Sequence, residues 1–173
     1  MTNPILVTYA TRAGSTAGVA EAIGDTLRQH NLSVEVRPMT DVTDLTPYRA
    51  VVAGSAIHAK QWLPEAITFM QNHQAALAQK PFAAFLVCMT MALKNQQWVE
   101  KSNLAQWLDP VRTIAPPVSE GYFAGVLDLS KIPDFWSRLG FRLSVWTGTW
   151  KEGDHRDWNA IRAWADALPA KLD

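Results

Sequence analysis

The chain has 173 residues, enough for one well-cored domain and short for two, and its 48% hydrophobic content without a low-complexity tract is that of an ordinary globular protein. Sixteen basic residues balance sixteen acidic ones, so nothing in the charge supports nucleic acid or another polyanion as a partner. The single cysteine, Cys88, excludes an internal disulfide and a multi-cysteine zinc or iron–sulfur site and fits a reducing cytoplasm.

Apolar runs alternate with amphipathic stretches along the chain. Ile5 to Ala10 reads as a strand, and Thr16 to His30 as a helix, with Val19, Ile23 and Leu27 spaced by four. Leu32 to Arg37 reads as the second strand; Met39 to Tyr48, polar and with a proline, is a loop or a short helix. Strand three is expected at Ala50 to Gly54, a helix at Leu63 to Ala78, strand four at Phe82 to Met89, a helix at Gln96 to Leu108 and strand five at Ser119 to Gly125. The last helix is expected from about Asp154 to Leu168, with Trp158, Ile161, Ala165 and Leu168 on one face. Such repetition of strand and helix predicts one α/β domain with a parallel sheet covered on both faces; AVVAG and FAAFLVCM are apolar throughout, as doubly buried strands are. The longest apolar run, from Phe82 to Leu93, has 12 residues between Lys80 and Lys94 and is too short to span a bilayer. Met1 to Pro4 lacks the basic region of a signal peptide.

Val126 to Gly153 breaks the rhythm and reads as an inserted excursion. Phe135, Trp136, Leu139, Leu143, Trp146 and Trp150 fall within an arc of roughly 100° if this segment is helical, with Arg138 and Arg142 beside them. That stripe suits a hydrophobic substrate, a quinone or a membrane surface; it equally suits an extra helix packed on the body, or a homodimer contact.

The junction TRAGST carries the strongest chemical signal. In a doubly wound sheet the first strand ends where strand order reverses, and ligands bind beyond the carboxyl ends of the strands. A helix N-terminus offers unpaired N–H groups and a positive dipole end, Gly14 permits close backbone approach, and Thr11, Ser15 and Thr16 add hydroxyls. These suit a phosphate; alternatively Ser15 or Thr16 is a helix cap and Gly14 a turn residue. Neither GxxxxGK[ST] nor GxGxxG is present, which disfavours a nucleoside triphosphate or a dinucleotide.

ILVTYATRAGSTAGVAEAIGDTL resembles the flavodoxin signature, with Thr11, Arg12 and Ala13 where three hydroxyl residues usually precede the glycine and Ser15 in place of the usual asparagine. Over nearly its whole length the chain is similar to the flavodoxin-domain branch that includes the bacterial menaquinone-dependent protoporphyrinogen oxidases. GSAIHAKQWLPEAITFM, FAGVLDLSKIP, the excursion and GDHRDWNAIRAWADAL carry that similarity. The resemblance implies a flavodoxin-like three-layer sandwich of sheet order 2-1-3-4-5, non-covalent FMN and redox chemistry. It also implies a phosphate held by Thr11, Arg12, Ala13, Gly14, Ser15 and Thr16, and a ring held by the loops Ser55, Ala56, Ile57, His58 and Met89, Thr90, Met91. Protoporphyrinogen IX as substrate and a quinone as acceptor follow from the same resemblance, in the cytoplasm or at the membrane periphery.

The alternative in another class is a flavodoxin-type electron carrier or binding module with a redox protein partner. Small carriers of that type are strongly acidic, and this chain is neutral. His58 stands where flavodoxins often place a tryptophan, and either tunes the flavin or faces solvent. Trp62 and Cys88 read as packing residues. His30, His73 and His155 have no second ligand at metal spacing, so no metal is expected.

Overall fold

The computed structural model describes residues 3–93, 95–131 and 135–173, and the backbone alone of Gln96. Residues 132–134 of the expected excursion, and Lys94, lie outside that description. In chain order the elements are β1 Ile5–Ala10, α1 Ser15–Gln29, β2 Val34–Pro38, β3 Ala50–His58, β4 Gln61–Trp62, α2 Pro64–Asn72 and α3 Gln74–Leu77. They continue with β5 Phe82–Val87, α4 Gln96–Lys101, α5 Asp109–Ile114, β6 Ser119–Phe123, β7 Val126–Leu127, α6 Phe135–Trp146, β8 Gly153–Asp154 and α7 Trp158–Asp166.

The main sheet runs β2-β1-β3-β5-β6, all parallel, with the short β4 folded back antiparallel on β3. Leaving β4 out of the count, this is the 2-1-3-4-5 order that the resemblance implies. The expected flavodoxin-like α/β sandwich is therefore the fold. The central strands β1, β3 and β5 are almost wholly apolar because each lies between two cores, whereas the edge strand β2 alternates, with Glu35 and Arg37 exposed. Leu6, Val51, Ala84 and Leu86 pack on the side of Met70, Leu108 and Val111, whereas Ile5, Val7, Val52 and Phe85 pack against Val19, Ile23 and Leu27 of α1 and Ile161 and Leu168. Each fully buried side chain of this size contributes about 1.5–3 kcal/mol through loss of apolar surface from water.

Several boundaries differ from the expected ones for local reasons. Strand three continues to His58, because a tight hairpin pairs Ile57 with Trp62 and His58 with Gln61. Ala59 and Lys60 make that turn with positive φ angles of 50° and 64°, a geometry usually signalled by Asn-Gly and therefore invisible in this sequence. The helix expected from Leu63 to Ala78 divides at His73, where φ reaches −107°. The one expected from Gln96 to Leu108 ends at Lys101; Asn103 turns left-handed, and Leu104–Leu108 follows as a 3-10 turn before α5. The last helix begins at Trp158, not Asp154, because Asp157 is its cap and accepts 3.0 Å hydrogen bonds from the N–H groups of Asn159 and Ala160. Asp154 belongs to β8, which pairs with β7 and closes the base of the excursion.

The excursion does form a helix, α6, but its stripe does not pack on the body. Phe135, Trp136, Leu139, Leu143 and Trp146 are exposed, Trp146 to 85%. Of the residues in the expected stripe, only Trp150 is half-buried. The packed-helix reading is thus set aside: periodicity states which residues share a face and not what that face meets. No helix among the described residues is long and apolar enough to cross a membrane.

Candidate functional site

The loops after β1, β3 and β5 all leave the carboxyl edge of the sheet, since the three strands are adjacent and parallel. The first of them is shaped as an anion site. Gly14 is the N-cap of α1, in the left-handed region at φ 87°, and no side chain caps the helix. Thr11 Oγ1 accepts the Gly14 N–H at 3.0 Å and closes the turn. The first backbone bond of α1 joins Gly18 N–H to the Gly14 carbonyl at 3.4 Å, so the N–H groups of Ser15, Thr16 and Ala17 precede it and have no partner within the helix. The first turn holds no acidic residue to repel an anion. Thr16 is fully buried, and its hydroxyl has no hydrogen-bond partner among the described residues. The expectation that Ser15 or Thr16 caps the helix is therefore corrected, and both hydroxyls remain for another use.

A cavity of about 240 Å³ opens against this turn. Ala13, Gly14 and Ser15 form one wall, and Val126, Asp128, Lys131, Asp154 and Arg156, from the two ends of the excursion, form the other. Arg156 donates from Nε to Asp154 Oδ1 at 2.9 Å and from Nη2 to Asp154 Oδ2 at 2.6 Å, while its Nη1 lies 3.4 Å from the Ser15 carbonyl. The guanidinium stacks 4.3 Å over the Trp158 ring. Arg156 holds the Asp154 carboxyl below the usual carboxylate range, chiefly through the side-chain bond. An uncapped helix end, an orphaned buried hydroxyl and a glycine whose Cβ position meets nothing within 4 Å together fit the phosphate of FMN.

The other expected site residues fall at the same edge in different roles. Arg12 is exposed, its Nη1 3.5 Å from His58 Nδ1, so it reaches across to the loop after β3 instead of folding over the phosphate turn. Ser55 is buried; its hydroxyl donates to the Ala56 carbonyl at 2.8 Å and accepts the Leu63 N–H at 3.0 Å, and it is thereby committed to the β3–β4 hairpin. Ala56 and Ile57 are half-buried and pack on the core, while His58 is exposed at the hairpin. Met89, Thr90 and Met91 lie in a 3-10 turn directly after β5, all half-buried. Cys88 is buried, and desolvation pushes its thiol up to about 11, which leaves it unreactive at neutral pH. Trp62 is buried in the core as expected. Among the described residues no cluster of His, Cys, Asp and Glu could hold a metal ion.

A cavity of about 670 Å³ adjoins the loop after β5. Leu93, Asn95 and Trp98 line one side; Val145, Trp150, Lys151 and His155 line the other. His155 Nε2 lies 2.6 Å from the Lys151 carbonyl; because a carbonyl only accepts, Nε2 carries hydrogen and donates there. Sequence reasoning missed Arg156, Lys131 and Trp98 as site residues. The only signal for Arg156 was its place in GDHRDW, a segment read as the start of a helix.

The sequence matches the model of the flavodoxin domain over residues 6–155. No curated protein matches it. Among solved structures, a short-chain flavodoxin associated with a bacterial microcompartment is 14% identical, with 100% of both chains covered and a TM-score of 0.60. A flavodoxin from the domain Archaea is 17% identical over 98% of each chain, with a TM-score of 0.55. Rubredoxin oxygen:oxidoreductase from Desulfovibrio gigas is 18% identical at a TM-score of 0.51, and this chain, 99% covered, spans 37% of its length. At these identities the solved structures speak for the fold alone; the family follows from the domain match, which takes in most of the sequence. The chain belongs to the flavodoxin domain family, whose cofactor is FMN.

Proposed function

We propose that the chain is a cytoplasmic FMN-dependent oxidoreductase of the protoporphyrinogen dehydrogenase type, which removes six electrons and six protons from protoporphyrinogen IX in three two-electron cycles and passes each pair to one quinone. The observation that supports this reading is the 670 Å³ cavity beside the loop after β5, a feature that a simple carrier does not need. Bound FMN supplies the two-electron chemistry; the protein supplies position and electrostatics. Trp98 and Trp150 offer flat apolar surface to a macrocycle, and the Lys151 ammonium offers a counter-charge for its carboxylates. His155 lines the same wall, its Nε2–H given to the Lys151 carbonyl. The exposed face of α6 has Arg138 and Arg142 beside it, and no acidic residue occurs from Phe135 to Lys151. That supports peripheral contact with an anionic lipid surface, where quinones reside.

The test is an anaerobic assay of FMN-loaded protein with protoporphyrinogen IX and a water-soluble quinone, read by porphyrin fluorescence. Saturable acceleration over free FMN is expected. Trp98→Ala and Trp150→Ala should each raise KM by about tenfold with FMN retained, the worth of an aromatic wall. A rate no faster than that of free FMN would remove the dehydrogenase reading. The second reading, a carrier or binding module, is favoured by the same exposed α6 face used as a docking surface for a redox protein or a second copy of the chain.

A further inference from the structure

We propose that the two ends of the excursion complete the phosphate site: Arg156 and Lys131 supply charged N–H donors, and Asp154 and Asp128 hold those cations in place and balance their charge. The inference rests on the assignment of FMN to the loop after β1. The loop itself offers backbone N–H groups and hydroxyls, and its one cation, Arg12, is turned toward His58. Across the cavity, Arg156 is fixed on three sides. Asp154 takes Nε and Nη2, Trp158 stacks beneath it, and Gly18 makes room for Nη1, which lies 2.4 Å from where a Cβ at that glycine would stand. Its side chain is only 17% exposed. Nη1 meets the Ser15 carbonyl at 3.4 Å, a long contact that leaves donor capacity on that nitrogen. Lys131 pairs with Asp128 at 3.6 Å, and its ammonium likewise retains donors.

Charge balance makes the arrangement consequential. With both pairs intact the cavity wall is neutral, and a phosphate dianion meets oriented N–H donors and the helix dipole. Without the guanidinium, Asp154 would confront the phosphate as an unpaired carboxylate. Because Arg156 lies two residues beyond β8, which pairs with β7, phosphate binding is also tied mechanically to the base of the excursion. The pattern of hydroxyls and glycine after β1 gives no hint of this, as the arginine is 141 residues away from Ser15.

The experiment compares FMN with riboflavin, which lacks the phosphate, by flavin fluorescence titration of the full chain. Wild type should bind FMN more tightly than riboflavin, with the difference shrinking as salt rises. Arg156→Met should weaken FMN about tenfold to a hundredfold, the worth of a charge-assisted hydrogen bond, and leave riboflavin affinity unchanged. Asp154→Asn combined with Arg156→Met should recover only the part of that loss due to the unpaired carboxylate, because the guanidinium donor is still missing. Gly18→Ala is the variant that does not depend on Arg156→Met folding. Alanine favours the helix over glycine, yet its methyl must displace the guanidinium, so FMN should weaken while the melting temperature holds or rises. Equal loss of FMN and riboflavin, or an undiminished FMN affinity in Arg156→Met and Gly18→Ala, would overturn the proposal. Wild type that retains neither flavin would instead overturn the FMN assignment on which it rests.

Discussion

Gly54→Ala will lower the urea midpoint of unfolding sharply, by an amount equivalent to about 3 kcal/mol or more, with the slope unchanged. Gly54 sits mid-strand in β3, between Tyr9 of β1 and Phe85 of β5. A Cβ built there would lie 2.1, 2.2 and 2.3 Å from three carbons of the Phe85 ring. That ring cannot step aside, because it is fully buried and packed at 6.2 Å centroid distance against both Phe123 and Trp164. Phe123 and Trp164 in turn meet edge-to-face at 5.6 Å. Close-packed interiors absorb such an insertion only by distorting backbone or rotamers. Against a total stability of about 5–15 kcal/mol, this is a large fraction. Adding Phe85→Leu should return part of the loss by vacating the ring's place. An unchanged midpoint in the single variant would mean that the β3–β5 spacing yields where the packing says that it cannot.

Gly14→Val will abolish tight FMN binding with a modest effect on folding. The position has φ 87°, which a β-branched residue adopts at a cost of about 1–2 kcal/mol. Since the Cβ position meets nothing within 4 Å, no clash adds to that cost. The valine methyls would, however, occupy the mouth of the cavity where the phosphate must approach the backbone N–H groups. FMN affinity should fall by about a hundredfold or more, with denaturant unfolding losing only the strain energy. A variant that binds FMN as tightly as wild type, measured by quenching of flavin fluorescence, would place the phosphate elsewhere.

The two predictions draw on different parts of what the sequence discloses. TRAGST was legible as a turn suited to an anion because a strand, hydroxyls, a glycine and an amphipathic helix follow one another within a few residues, and helix-end chemistry is local. The central strands were legible for a similar reason. Burial on both faces demands continuous apolar runs, and AVVAG and FAAFLVCM supply them. The α1 and α7 faces were also legible from spacing, although α7 starts later than expected because Asp157, not Asp154, satisfies its first N–H groups.

What escaped was whatever depended on neighbours distant in sequence or on unfavoured backbone. The β3–β4 hairpin turns through Ala59 and Lys60, neither of which announces a positive φ. The break at Asn103 lies inside an apolar pattern that continues as a 3-10 turn with buried Leu104, Trp107 and Leu108. The aromatic stripe was read correctly as one face of a helix from Phe135 to Trp146, with Trp150 beyond its end, yet the structure leaves that helix face bare. Periodicity is a property of one helix, whereas burial is a property of two surfaces.

By itself, then, the sequence determined a doubly wound α/β domain and a glycine turn suited to an anion after the first strand, since both arise from local pattern and the physics of strand and helix ends. Only the tertiary structure decided that Arg156, stacked on Trp158 and paired with Asp154, stands across the cavity from Ser15. It also decided that a 670 Å³ cavity lies between the loop after β5 and the end of the excursion. Both require segments far apart in the chain to meet, and what brings them together is sheet order and the pairing of β7 with β8, which no local run of residues encodes.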